Sequence, residues 1–205
     1  MAVKSRREEY AAITRAALLD AAADLFAEKG FDVTSVDDVA KAARVSKGAV
    51  YHHFPDKSAI FDEVFRINQQ EVVAQVAAAI PADLQGEQHL WQVTVAAVQG
   101  FIDAYVTDTQ KRSLLRQSAG VLGVHRCRQI DDDLALPLVV GMLDGLQAGG
   151  QLRENVSIKM AATIIFGTLC EAATSLALAD DCEQAGREAS QVVSYMLSGL
   201  VKAPA

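Results

Sequence analysis

Apolar residues recur at helical spacing along almost the whole chain, and no run of strict apolar/polar alternation stands between turn residues. Such a chain buries its apolar stripes by packing helix on helix, so the fold class is all-α. Ile13, Ala17, Leu18, Ala21, Leu25 and Phe26 form one stripe, and Lys29-Gly30 sets a helix-ending glycine directly behind it. Ser35 to Ala43 and Ser46 to Phe54 read as two short helices across a tight turn, each opened by a capping serine, the second stopped by Pro55. Ile60, Phe61, Val64, Phe65, Val72 and Val76 mark a longer helix over 56–80, after which Pro81 and Gly86 make a linker.

Beyond the linker, Trp91, Thr94, Val95, Val98, Phe101, Ile102 and Tyr105 predict an amphipathic helix with an aromatic end over 88–106. Leu114 and Leu115 suggest a short helix. The stretch 126–148 is helical by pattern but holds Pro137, which should kink or split it before Gly149-Gly150 closes it. Ser157 can cap a helix to about 179, and Asp180 or Asp181 another to about 201, for a total of about nine helices.

The chain has 205 residues, 51% hydrophobic and 22% charged, with 13 Gly and 4 Pro, which excludes the collagenous, low-complexity and highly charged disordered classes. Cys127, Cys170 and Cys182 are odd in number, widely spaced and without a CxxC pair, so neither a disulfide framework nor a zinc knuckle is expected. A reducing cytoplasm fits. Lys4, Arg6 and Arg7 imitate the start of an export signal, but Glu8, Glu9, Arg15, Asp20 and Asp24 interrupt any apolar stretch behind them. The apolar run from Met160 to Ala179 is diluted by Thr163, Thr168, Glu171, Thr174 and Ser175, and reads as a buried or interfacial helix with no membrane partner.

The net charge of −7 is unevenly placed. Residues 1–57 hold nine Lys and Arg against nine Asp and Glu, so all of the net acidity lies beyond them. A neutral segment with a basic tip suits a protein that touches a polyanion with one end. The segment SVDDVAKAARVSKGAVYHHFPDK has the layout of a helix-turn-helix. Val36, Val39, Ala40 and Val45 face inward, and Val50 and Phe54 hold the second helix against the core. The outward face of that helix is then Lys47, Gly48, Ala49, Tyr51, His52 and His53. Gly48 and Ala49 let the backbone approach a groove closely, and Lys47 can reach a phosphate or a guanine edge.

Over residues 12–72 the sequence resembles the tetracycline-repressor (TetR) family of bacterial regulators: LLDAAADLFAEKGFDVTSVDDVAKAARVSKGAVYHHFPDKSAIFDEVF follows the family pattern nearly throughout. The resemblance implies a three-helix DNA-binding domain over 1–56 with its motif at 35–54, a connector helix over 57–80, and a ligand-binding and dimerisation domain over 81–205. By motif position Lys47, Gly48 and Ala49 lie at base edges, Tyr51, His53 and Lys57 hold phosphates, and Ser35 sits at a helix N-terminus near the DNA backbone. The family usually has glycine in the turn where this chain has Arg44; if φ is positive there, arginine costs about 1 kcal/mol, and Arg44 becomes a candidate phosphate contact. Ser46, opening the second helix, and His52 complete the DNA-binding set.

The implied function is a dimeric transcriptional repressor that holds a palindromic operator in double-stranded DNA and is released by an unidentified small-molecule effector. No cofactor or metal is expected. Dimerisation is assigned to helices over about 157–179 and 181–201, whose small residues Ala161, Gly167, Ala173, Ala185 and Ala189 stand beside Ile164, Leu169, Leu176, Val192, Met196 and Leu197. Val193 is placed at the centre of that surface. The aromatic residues Trp91, Phe101, Tyr105 and Phe166 read as core that also walls an effector cavity, with Leu122 and Cys170 beside them. Arg116, His125 and Glu171 are its candidate polar groups. Glu171 could equally pair across a dimer interface. His125 and Cys127 point in different directions on a helix, so they make no metal site. The run Asp131-Asp132-Asp133 reads as a solvated cap before Pro137, with a cation site as the weaker alternative.

No phosphate loop, nucleophile elbow or HExxH motif is present, so an enzyme is not expected. Two other classes remain open: a ligand-independent DNA-binding factor acting through a protein partner, which would have a filled core, and a helical enzyme with a vestigial DNA-binding end.

Overall fold

In chain order the helices are α1 (Arg6–Lys29), α2 (Val36–Ala42), α3 (Lys47–His53), α4 (Lys57–Ala79), α5 (Leu90–Val106), α6 (Thr109–Leu122), α7 (Val124–Leu134), α8 (Leu136–Ala148), α9 (Ile158–Leu178) and α10 (Cys182–Ser198). The computed structural model describes residues 6–81 and 89–202, so Lys4 and Gly86 lie outside it. Side-chain caps set most of the starts. Ser35 and Asp38 form a reciprocal box at α2, each side chain accepting the other's backbone N–H. Ser46, Asp56, Asp108, Ser157 and Asp181 cap α3, α4, α6, α9 and α10 in the simpler one-way form.

The described residues hold ten helices where the sequence pattern suggested about nine. The stretch around Pro137 is two helices, because proline lacks a donor and fits the first turn of α8, where none is needed. The helix around Leu114 is 14 residues long, not short.

Packing ties the N-terminal helices to α6 and α7. Leu18, Phe26, Val39, Val50, Ile60, Phe61 and Phe65 form the core beneath α1–α3 and the first half of α4, with the Phe26, Phe31 and Phe61 rings in mutual contact. The same cluster includes Leu114 on α6 and Ile130 on α7. A second core joins Val98, Leu143, Phe166, Leu169, Val193 and Leu197 from α5, α8, α9 and α10. The connector α4 lies directly on α5: a side chain at Gly100 would stand 2.6 Å from Ala79 Cβ, so only glycine admits this approach.

Candidate functional site

The turn between α2 and α3 fixes how the outer helix is presented. Arg44 has φ 58°, the left-handed conformation. Around it Val45 N–H donates to Ala40 O at 2.9 Å and Arg44 N–H to Lys41 O at 3.2 Å, the pair of bonds that normally closes on glycine. Arginine therefore fills the usual glycine turn with its geometry preserved, and its exposed side chain is free to reach outward.

On α3, Val50 is buried while Lys47, Gly48, Tyr51 and His52 are exposed, Tyr51 by 50%. Ala49 and His53 are half-buried. Ser46 Oγ accepts the N–H of Ala49 at 3.2 Å and remains exposed at the helix start, as Ser35 does at α2. Burial holds the His53 imidazole below its ordinary value, helped by the nearby charges of His52 and Arg15. Lys47 Nζ donates to Asp37 Oδ2 at 2.9 Å, with both side chains more than half exposed. An exposed pair of this kind is worth about 0–1 kcal/mol, so Lys47 can leave it for a stronger anion.

Lys57 differs from the expected phosphate-binding group. Its ammonium donates to the carbonyls of Phe31 at 2.6 Å, Thr34 at 2.8 Å and Asp32 at 3.4 Å, and lies 4.1 Å from the centre of the Phe31 ring. It ties the α1–α2 turn to the start of α4, because turn carbonyls outside the regular helices need a donor. A phosphate would have to compete with all three.

In the other half of the molecule α4 to α9 enclose a cavity of about 530 Å³. Phe101, Tyr105, Arg116, Phe166, Cys170 and Glu171 line it. Trp91, Leu122 and His125 do not. Trp91 packs against the second core, Leu122 against the N-terminal core, and His125 is exposed on the outer face of α7. The cause is the break at Gly123, which starts α7 at Val124 and turns Val124 toward the cavity while directing His125 away.

Two cavity groups escaped the sequence reading. Tyr105 O–H donates to Gln69 Oε1 at 3.1 Å, and Gln69 Nε2 donates to Asp131 Oδ1 at 2.7 Å. Asp131 is therefore no solvated cap; burial raises its carboxyl above the ordinary range, with Asp132 adding to the effect and Gln69 and Arg128 opposing it. Burial and then the Asp131 charge push the Tyr105 phenol far up and the Cys170 thiol to about 12, so both stay protonated. Gln69 sits in the Phe65, Val72, Val76 stripe and Asp131 in the Val124, Cys127, Leu134 stripe, so a polar residue within an apolar stripe was the available signal. At the rim, Glu171 is exposed and Arg116 Nη1 donates to Ala177 O at 3.0 Å.

Helix α6 is shared by both regions. Leu115, Arg116, Ser118 and Ala119 line the cavity, while Ser113 and Gln117 hold the end of α1. Gln117 accepts the N–H of Phe31 at 2.6 Å and donates to Phe26 O at 2.9 Å, and Ser113 Oγ donates to Ala27 O at 2.8 Å.

Away from the cavity lining α9 and α10 expose Met160, Ile164, Val192, Tyr195 and Met196. Val193, Leu169, Leu176, Leu197, Ala161 and Ala173, expected on that surface, are buried inside the protomer. By length and composition α9 could cross a membrane, but Ala162, Ile165, Phe166, Leu169, Ala173 and Leu176 make one of its faces core.

Residues 18–64 match the family model of bacterial regulatory proteins, tetR family, and residues 91–200 match that of the tetracyclin repressor-like C-terminal domain. The HTH-type transcriptional repressor BepR of Brucella suis biovar 1 is 28% identical over 172 residues, covering 78% of this chain and 79% of that repressor. A TetR-family transcriptional regulator from Pectobacterium atrosepticum superposes with a TM-score of 0.79 at 25% identity, over 98% of this chain and 100% of that one. SmeT in complex with triclosan shares the fold, with a TM-score of 0.72 at 21% identity over 92% of both chains.

Proposed function

The chain belongs to the TetR family of bacterial transcriptional regulators, and we propose that it is a dimeric repressor whose palindromic operator is released when a small molecule enters the α4–α9 cavity. As a family member it is a DNA-binding regulator, not an enzyme. Its operator DNA puts its work in the bacterial cytoplasm.

In this reading Lys47, Gly48 and Ala49 meet base edges in the major groove. Tyr51, His52, His53, Ser35, Ser46 and Arg44 hold the flanking phosphates. Lys57 acts from behind, by positioning the α1–α2 turn. Two copies joined through the exposed faces of α9 and α10 would set their α3 helices in successive major grooves, about 34–36 Å apart.

The observation that carries the effector half of the reading is α6, one face of which walls the cavity while the other grips α1. A ligand that fits only one placement of α6 and the connector α4 favours one spacing of the two α3 helices, and by linkage the operator must weaken that ligand by the same factor. A coupling of about 3 kcal/mol changes affinity roughly 150-fold. A ligand-independent factor would have a filled core, and the open cavity of about 530 Å³ speaks against it. SmeT, which shares the fold, holds triclosan.

A mobility shift with the DNA upstream of the protein's own gene tests the reading. A retarded complex of one dimer, lost against random competitor DNA only at much higher concentration, supports it. The absence of any sequence-specific complex contradicts it.

A further inference from the structure

The cavity read above as the effector site has apolar walls, including Phe65, Val98, Phe101 and Phe166, and of the four charged residues on its lining Glu171, Arg116 and Arg128 are exposed while Asp131 is half-buried. Resting on that reading, we infer that the effector is a lipophilic cation: an apolar body carrying a protonated amine or a quaternary group that faces the Asp131 carboxylate.

Asp131 forms no ion pair with a basic side chain among the described residues. Among the described residues its donor is Gln69, and the Tyr105 hydroxyl fixes the Gln69 amide so that its N–H, not its carbonyl, is aimed at Asp131. The hydrogen-bond chain thus ends on Asp131 as an acceptor, with lone pairs left over to face the cavity. Arg116 and Arg128 also line the cavity, but both are exposed, Arg116 donates to Ala177 O, and Arg128 acts on Asp131 by its charge without forming an ion pair with it. Cys170 and Tyr105, held protonated, bring no compensating charge.

An anionic guest would put a second negative charge beside Asp131, where like charges repel. A cationic guest supplies the missing partner. The Phe101 and Tyr105 rings, 5.3 Å apart on the same wall, add aromatic surface on which an organic cation is attracted where an anion is not.

Tetraphenylphosphonium and tetraphenylborate have the same shape and opposite charge, and calorimetric titration of the intact protein with each tests the inference. The phosphonium binds more tightly than the borate, Asp131→Asn weakens the phosphonium by about 30-fold or more, and Asp131→Glu retains the preference. Asp133→Asn, exposed one turn edge away, leaves the phosphonium affinity unchanged and so excludes attraction by net charge alone. Equal binding of the two ions, a preference for the borate, binding of neither, or a phosphonium affinity indifferent to Asp131→Asn overturns the inference. Operator binding by the same preparation without either ion reports separately on the regulator reading, and borate binding would leave the cavity a ligand site of another charge class.

Discussion

The side-chain carbonyl of Gln117 accepts the backbone N–H of Phe31 at 2.6 Å, across 86 positions of sequence, while the same amide donates to Phe26 O. One residue on the cavity helix thereby satisfies backbone groups on both sides of the α1–α2 turn. Gln117→Ala leaves the part-buried Phe31 N–H unmet, while Phe26 O keeps its bond from Gly30 N–H, and costs about 1–3 kcal/mol. Chemical denaturation reads the loss. The account also expects the variant to bind operator yet respond less to effector, since the link from α6 to α1 is cut; full stability and full induction would show that the bond is incidental.

Arg44 carries the strain expected of a side chain in a glycine turn, with φ 58°. Arg44→Gly relieves it, with a net gain of about 0.5–1 kcal/mol after the extra freedom of glycine in the unfolded chain is set against it. Thermal unfolding measures that gain. If Arg44 also holds a phosphate, the same variant lowers the salt slope of operator binding by about one unit.

Asp131 gives a pH signature of its own. The native state holds its proton more tightly than the unfolded chain does, so stability is lost as pH rises from the ordinary value of 3.8 through the raised native one. Facing it are Arg128, Asp132 and Cys127 on α7, Tyr105 on α5 and Cys170 on α9. Asp131→Asn keeps the acceptor for Gln69 and removes the ionisation. Its Tm should exceed that of the wild type at pH 7, and the gap should close toward pH 4. A gap that persists at pH 4 would mean that the gain has another cause.

A test of assembly needs an exposed residue of α9 or α10. Val193, 3% exposed, belongs to the core, so a charge there unfolds the protomer and says nothing of dimers. Ile164 on α9 is 55% exposed and borders a groove shared with Met196 on α10. Ile164→Asp should give folded monomers by light scattering and should abolish operator binding, because two half-sites can no longer be held at once. A folded dimer that still binds operator would place the interface elsewhere.

The starts of α2, α3, α9 and α10 were legible because each rests on a cap within three residues: Ser35, Ser46, Ser157 and Asp181 all accept the N–H expected of them. The α3 face was legible for a similar reason, since Val50 and Phe54 are spaced to bury one side of a two-turn helix. The cavity was only partly so. Phe101 and Tyr105 follow from the α5 stripe, but His125 depended on where α7 begins, and Gly123 shifts that start. The Gln69–Asp131 bond spans 62 positions and exists only once α4 and α7 have packed. The bonds of Lys57 were hidden for the same reason, because the carbonyls it serves lie 23 to 26 positions upstream.

The central claim is that α3 reads DNA sequence for a dimer, and the most direct measurement is the affinity for upstream operator and for random DNA across a salt series. For the wild type, operator should be preferred by about 10³-fold or more, with affinity falling steeply as salt rises. Lys47→Ala should reduce that preference by about 1–3 kcal/mol. Lys57→Ala should chiefly lower thermal stability, with the preference kept, because its ammonium serves the Phe31 and Thr34 carbonyls. Equal affinity of the wild-type dimer for operator and random DNA, or a Lys47→Ala variant as selective as the wild type, would contradict the account.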